Sequence, residues 1–371
     1  MIWPFGDGPV GAWLERRRVL RDLKRAVAEE AGMLSLRDDN PLHRAKVSIG
    51  ADDPQRAREF LEQARQRIPE YVITCPDTVG ILLDLGDFAE AEAFTLAGAK
   101  RFPKQPHYLE GYAMTAERKH DYAEAVRRWA VVRKKFPHRK FGYVSASGSL
   151  RKIGRVDEAE RVIGQMMRML PNDMFVLLEW AQIPEAREDW EEAFRRWDSL
   201  RNKHPTGFVG ASRALQKLGR IADAEAMLAE GRFRFPTEAT LAVMQARIAE
   251  ESGDTVEALK RWAVVRQRFP FDKAGYDSPI RLLRQQQDWA EADAIAQAAV
   301  ERFPAHSWPL EEYATLAQLR KDWAEAAKRW AALLKAFPGH AYAREREAQA
   351  LAASGVHATA EAVTSPPASS G

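Results

Sequence analysis

Apolar residues along the chain fall into paired runs of helical spacing, and a proline closes every pair. Leu109, Tyr112, Ala113 and Ala116 form one run, and Ala125, Trp129, Val132 and Phe136 form the next. Residues three and four apart share one helix face, so each pair reads as two amphipathic helices. The closing prolines are Pro69, Pro103, Pro137, Pro171, Pro205, Pro236, Pro270, Pro304 and Pro338, spaced by 34 residues with a single step of 31. An alanine lies twelve residues before each: Ala57, Ala91, Ala125, Ala159, Ala193, Ala224, Ala258, Ala292 and Ala326. Nine coincidences at one offset exclude chance, so a chain that length alone would divide into two or three globular domains is instead a tandem array. The alanine lets two helices of a hairpin approach closely without a void, and the proline ends the second helix because it disfavours α conformation in the residue before it. Turn signals with Gly at a helix C-terminus separate the helices at Leu85-Gly86-Asp87, Ile153-Gly154-Arg155, Leu218-Gly219-Arg220 and Ser252-Gly253-Asp254. Pro76, Pro106 and Pro309 fit the first turn of first helices. Aligning Gly142-Tyr143 with Gly207-Phe208 places the three-residue deletion in the connection before a first helix, and predicts a tighter turn or a bend at Thr206-Gly207.

These residues resemble the tetratricopeptide repeat, in the form seen in bacterial multi-repeat proteins. The resemblance covers Asn40 to Pro338. Ala113, Ser147, Ala181, Ala246 and Ala314 take the family's small first-helix position, Val79 and Ile280 depart from it, and the unit from Pro41 to Pro69 is the weakest because its first helix is short and polar. Half-a-TPR repeats of RNA-processing factors rank second, since the first-helix Trp they carry is not regular here. The expected fold is all-α, a right-handed α-solenoid of about nine helix-turn-helix repeats over 38–338. Residues 1–37 are an N-terminal amphipathic helix or cap, 339–353 a C-terminal cap helix, and 354–371 a low-complexity, disordered tail.

A second period runs over the first. The residue after the alanine is Glu92, Glu160, Glu225 or Asp293 in one kind of unit, and Arg58, Val126, Phe194, Leu259 or Ala327 in the other, in strict alternation. In the second kind Trp129, Trp197, Trp262 and Trp330 follow the alanine by four, each preceded by a basic pair such as Arg127-Arg128 or Arg195-Arg196. The spacing puts the tryptophans on the buried stripe, and the basic pairs are expected on a solvated outer face. First helices alternate as well. One kind carries Arg151 with Lys152, Arg213 with Lys217, and Arg281 with Arg284; the other carries Glu110, Glu117, Glu179, Glu185, Glu250, Glu251, Glu311 and Glu312. The family resemblance implies that first helices line a concave groove. Two readings follow: a ladder of ion pairs between adjacent units, or a groove for a partner segment of mixed charge, in which Glu110, Glu117, Arg151, Lys152, Glu179, Arg213, Lys217, Arg281, Arg284 and Glu311 make the contacts.

Charge and chemistry narrow the function. Lys+Arg 56 against Asp+Glu 53 leaves +3, far from the basic excess of a nucleic-acid binder. Cys75, the single cysteine, cannot form an internal disulfide and reads as a small buried residue. The N-terminus lacks the pattern of a secretory signal, and no 18-residue uncharged apolar run exists to span a membrane. The eight histidines are spread along the array, and no zinc, dinucleotide, P-loop, nucleophile-elbow or EF-hand motif is present. No cofactor, metal or catalytic group is therefore expected. The chain reads as a non-catalytic cytoplasmic scaffold that binds a protein or peptide segment. The motif Asp-Trp-Ala-Glu-Ala-Ala-Lys-Arg-Trp around Trp323 and Trp330 is similar to repeats in bacterial proteins found with or fused to glycosyltransferase-type domains. That supplies the alternative: an accessory subunit of a cell-envelope polysaccharide or glycosyltransferase system. Its amphipathic stretch within residues 1–36, with Leu20, Leu23 and Val27 on one face and Arg16, Arg17 and Arg18 early in it, then contacts the inner face of the membrane. Capping of the first repeat is the competing role of that stretch.

Overall fold

The computed structural model describes residues 40–50 and 53–364. The N-terminal cap or membrane helix read at 1–37 therefore lies outside the described residues, as does 365–371. Every regular element among the described residues is a helix. The chain divides into two compact units, residues 1–98 and 99–371. The first contains α1 (Pro41–Gly50) and α2 (Pro54–Arg67), a short α3 (Pro69–Thr74), α4 (Pro76–Asp84) and most of α5 (Phe88–Arg101). The second contains seven hairpins: α6 (Pro106–Arg118) with α7 (Tyr122–Lys135), α8 (Phe141–Lys152) with α9 (Val156–Met169), α10 (Met174–Gln182) with α11 (Trp190–Asp198), α12 (Pro205–Lys217) with α13 (Ile221–Arg234), α14 (Ala239–Glu251) with α15 (Thr255–Arg268), α16 (Ala274–Gln286) with α17 (Trp289–Arg302), and α18 (Trp308–Leu319) with α19 (Trp323–Ala336). It ends in α20 (Ala341–Thr364). This is the all-α solenoid of helix hairpins that the period requires.

The repeat signals act as the local physics demands. All nine alanines sit in second helices and are 0 % exposed, so the partner helix packs directly onto their backbone. The residue before the closing proline leaves the helix, as Phe136, Phe269 and Phe337 do with φ of −130°, −129° and −131° and ψ of 68°, 66° and 77°. At the hairpin turns Gly86, Gly154, Gly219 and Gly253 take left-handed φ between 74° and 79°. The same turn position is filled in the remaining hairpins of the second unit by His120, Glu188, Gln287 and Lys321, with φ of 57–64°. An aspartate opens many second helices: Asp121, Asp189, Asp254, Asp288 and Asp322 each accept a hydrogen bond from the backbone N–H three residues on, at 2.9–3.2 Å.

The core is a string of local clusters, one per interface, as repeat stacking dictates. Trp129, Trp197, Trp262 and Trp330 are its largest side chains and at most 1 % exposed. Cys75 is buried beside Tyr71 in the first unit's core, and burial pushes its thiol pKa up.

Two features differ from the sequence reading. Pro205 opens α12, so the connection that follows the proline elsewhere is absent, as expected; but the deletion also reaches backward, because α11 stops at Asp198, nine residues long where α7 has fourteen. Ser199 to His204 form an irregular turn in place of a final helical turn. The chain must still bring α12 against Trp197, and six irregular residues cover that distance without the rest of the helix. At the other end α20 continues to Thr364, past residue 353, where the tail was placed. The continuation, Ser-Gly-Val-His-Ala-Thr-Ala-Glu-Ala-Val-Thr, is rich in alanine and suits a helix.

Candidate groove along the first helices

Within the second unit, the first helices of successive hairpins touch one another from α6 through α8, α10 and α12 to α14. They form a continuous row, and the alternating charges lie along it. The structure pairs most of them across the repeat boundary. Arg151 donates two hydrogen bonds to Glu179, both at 2.9 Å, and one to Gln182 at 3.0 Å. Arg213 donates to Glu185 at 2.6 Å, Arg281 to Glu250, and Arg284 to Glu312 at 3.4 Å. Glu110 accepts a bidentate pair from Arg139, at 2.8 and 2.9 Å, from the connection ahead of α8. Glu311 lies 3.8 Å from His340 Nε2, and the Lys217 ammonium sits 5.9 Å from the Trp190 ring centre. The ladder of ion pairs is thus built into the fold.

A second set of contacts uses residues the sequence reading placed elsewhere. Of each basic pair before a core tryptophan, the first member is exposed and the second is not: Arg195 faces solvent, whereas Arg196 and Arg329 are 9 % and 7 % exposed. The second arginine is a clasp and not part of a solvated outer face. Arg329 donates to Glu325 four residues earlier (2.9 Å), to the Tyr313 carbonyl (2.7 Å) and to Asp293 of the preceding repeat (2.9 Å), and its guanidinium lies 3.5 Å from the Tyr313 ring centre. Arg196 repeats the arrangement with Glu192, the Trp180 carbonyl and ring, and Glu160; Arg261 does so with Glu257, the Gln245 carbonyl and Glu225. A planar fork with five donors can satisfy all three partners at once. This explains the alternation: the acid after the alanine in one repeat, Glu160, Glu225 or Asp293, holds the arginine before the tryptophan in the next. Burial raises the pKa of the Asp293 carboxyl, but bonds from Arg329 and Arg320 outweigh it and hold the group below the usual range. The signal was visible in the strict covariation of the two positions, 36 residues apart.

The buried indoles are satisfied in the same register. Trp129, Trp197 and Trp262 donate through Nε1 to Glu117, Glu185 and Glu250 at 2.8, 2.6 and 3.3 Å, and Trp330 donates to Gln318 at 3.2 Å. Each acceptor stands twelve residues before its tryptophan.

Two clefts open in the row, and both coincide with a missing rung. One, of about 560 Å³, lies between α6, α8 and α10, and its lining includes Glu117, Gly148, Ser149 and Lys152. Counting from the Gly-Tyr or Gly-Phe pair, Gly148 occupies the place of Arg213 and Arg281. The other, of about 530 Å³, lies between α12 and α14. There Gln216 stands where Arg151 and Arg284 stand elsewhere, opposite Met244 in place of Glu179 or Glu312. Ile221 and Ile248 supply its apolar surface, and Lys217 and Arg247 add positive charge. Of the ten residues the sequence singled out, Glu117, Arg151, Lys152 and Glu179 line the first cleft and Arg213 and Lys217 the second, and of these Arg151, Glu179 and Arg213 are already spent on pairs between repeats. Among the described residues no group of three or more His, Cys, Asp or Glu is gathered as a metal site would need, and no helix is long and apolar enough to cross a membrane.

The chain is an α-helical repeat protein, an array of stacked helix hairpins. A family model described as Tetratricopeptide repeat matches residues 209–272, the stretch from α12 into the connection after α15. The crystal structure of yeast Tom70 is similar in fold, with a TM-score of 0.51 at 15 % identity over 94 % of this chain and 88 % of that one. A tetratricopeptide repeat protein from Parabacteroides merdae ATCC 43184 is similar with a TM-score of 0.43 at 16 % identity, over 66 % of this chain and 97 % of that one. No curated protein matches the chain in sequence.

Proposed function

We propose that this chain is a non-catalytic, cytoplasmic scaffold that holds a segment of a partner protein along its first-helix row. The observation that carries this reading is the position of the two clefts: a ladder closed elsewhere by ion pairs is open at Gly148 and at Gln216 and Met244. A rung left open exposes polar and apolar groups that the neighbouring rungs bury against one another, which favours a partner's side chains at those two points. Arg151, Arg213 and Arg281 are poor probes of binding, because reversing their charge would set like charges against Glu179, Glu185 and Glu250 and unsettle the fold. A photo-crosslinking residue at Met244, with a second at exposed Phe233 on α13, tests the reading in the cell of origin. Adducts to a discrete protein from Met244 and none from Phe233 support it. Adducts from Phe233 alone would move binding to the second-helix face and overturn it.

The accessory-subunit reading, with residues 1–36 at a membrane, draws its support from the Asp-Trp-Ala-Glu-Ala-Ala-Lys-Arg-Trp motif. Recovery of the intact protein with membranes, lost on deleting residues 1–36, would favour it over a free scaffold.

A further inference from the structure

Three homologous carboxylates, Glu117, Glu185 and Glu250, each accept the indole N–H of a buried tryptophan. Two of them also hold an arginine from the following repeat: Arg213 on Glu185, and Arg281 on Glu250. The third does not, because the equivalent position in α8 is Gly148. Around Gly148 nothing lies within 4 Å of where a Cβ would stand, and the position opens onto the cleft. Both hydrogen bonds to Glu117, from Trp129 Nε1 at 2.8 Å and Ser149 Oγ at 2.6 Å, fall on Oε1 and come from uncharged donors. Oε2 receives none among the described residues. Burial pushes the Glu117 carboxyl above its usual pKa range, only partly offset by the bonds from Ser149 and Trp129, as expected of an acid whose countercharge is absent. The neighbouring acid in the cleft, Glu179, is already neutralised by Arg151. Arg118 and Lys152 also line the cleft.

We propose that the Glu117 cleft is a receptor for the guanidinium group of an arginine in the partner segment, which takes the place that Arg213 and Arg281 occupy at the two sister rungs. The inference rests on the groove reading above and specifies its chemistry. Arginine suits the cleft better than lysine, because a planar fork can reach Oε2 of Glu117 in a fixed geometry while its remaining N–H donors stay available to other acceptors.

The site has a built-in reporter and two built-in controls. With the intact protein labelled at the indole nitrogens, acetyl-arginine-amide should move the Trp129 Nε1–H resonance saturably, while those of Trp197 and Trp262, whose carboxylates are occupied, stay in place. Acetyl-lysine-amide should bind at least several-fold more weakly, and acetyl-glutamate-amide should leave the resonance unmoved. Glu117→Gln, which keeps an acceptor for both neutral donors, should abolish the response. Gly148→Arg should abolish it by supplying the missing side chain, whereas Gly148→Ala, which only adds a methyl in open space, should keep it. Equal movement of all three indoles, a stronger response to the glutamate probe, or a full response in Glu117→Gln overturns the proposal. If arginine leaves Trp129 unmoved while Met244 still crosslinks a partner, the guanidinium assignment falls and the scaffold reading stands; if Met244 captures nothing while Trp129 responds, the reverse holds.

Discussion

The junction from α6 through α8 and the junction from α10 through α12 are two versions of one design. Both bury a tryptophan after an Arg-Arg pair, and both tie its indole to a glutamate twelve residues earlier. They close differently. In the first, fourteen-residue α7 runs to Lys135, and a Cβ on Gly142 would stand 3.2 Å from Val132 and Arg133 side-chain carbons, a tight but tolerable approach. In the second, α11 is cut short, and a Cβ on Gly207 would come within 2.5 Å of the Arg201 backbone nitrogen, while one on Gly210 would lie 2.1 Å from the Trp197 ring. The deletion thus brings α12 directly onto the indole, and only glycine fits. The first junction has space to spare at Gly148; the second spends its space and closes its rung with Arg213. A shorter repeat is accommodated by substituting glycine for side chains at the contact, and the hairpins on either side keep their pattern.

The largest effects should come from the tryptophans. Trp197→Ala and Trp129→Ala should each cost about 3–5 kcal/mol in urea unfolding, because either leaves a void in a packed seam. A cost below about 1 kcal/mol at either site would contradict the burial of that indole.

Next come the glycines that distinguish the junctions. Gly210→Ala should cost about 1–3 kcal/mol or more by overpacking, whereas replacing Ser145, its counterpart in α8, by Ala should stay within about 0.5 kcal/mol. The clash is with the indole itself, so in a Trp197→Ala background the Gly210→Ala penalty should largely vanish, which a double-mutant cycle would read out. Independent, additive penalties would mean that the backbone, and not Trp197, sets the limit.

Smaller and equal at both junctions should be the gain from relieving left-handed strain. His120→Gly and Glu188→Gly, at φ of 60° and 57°, should each stabilise by up to about 1 kcal/mol. Matched melts of the two variants check this, and a loss in either would show that its side chain holds the turn by contacts that outweigh the strain.

The smallest effects should separate the two glutamates by sign. Burial raises the folded-state pKa of Glu117 above its unfolded value. The ionised carboxylate therefore costs stability at neutral pH, and that cost is relieved as pH falls through the raised pKa. Glu117→Gln should leave stability at pH 7 equal or slightly higher and remove that acid-side gain. Glu185→Gln breaks a pair with Arg213, whose side chain is 40 % exposed, and should cost less than about 1 kcal/mol at pH 7. Unfolding measured from pH 4 to 8 in both variants tests the contrast; a clear destabilisation by Glu117→Gln at neutral pH would contradict it.

Much of this was legible in the residues alone. The proline and alanine registers located second helices because both act locally, one on the preceding backbone and one at a helix crossing, and Ala57 through Ala326 are buried without exception. The four glycine turns were likewise read correctly, but His120, Glu188, Gln287 and Lys321 were not, because nothing in those side chains announces a left-handed backbone that the flanking helices impose. The groove residues were named before their partners could be. Charge alternation along first helices is compatible with a ladder or with a binding surface, and only the stacking of α10, and of the 3-10 turn Pro184–Arg187 that follows it, against α8 and α12 pairs Arg151 with Glu179 and Arg213 with Glu185.

By itself, then, the sequence determined the repeat, its two alternating forms and the tryptophan seam, since each depends on spacing within one helix or one turn. Only the tertiary structure decided which charges are spent on the fold. Arg196 and Arg329 looked like surface residues because helical spacing sets them beside the tryptophan stripe, yet the first helix of their own hairpin brings a carbonyl and a ring over them and the preceding repeat brings an acid. Glu117 looked like one acid among many, and became distinctive only when the position facing it proved to be a glycine. The physical reason is common to both cases: an ionic group's role is set by what desolvates it and what charge lies within a few ångströms, and those neighbours come from the facing helix of the hairpin or from an adjacent repeat, far from it in sequence.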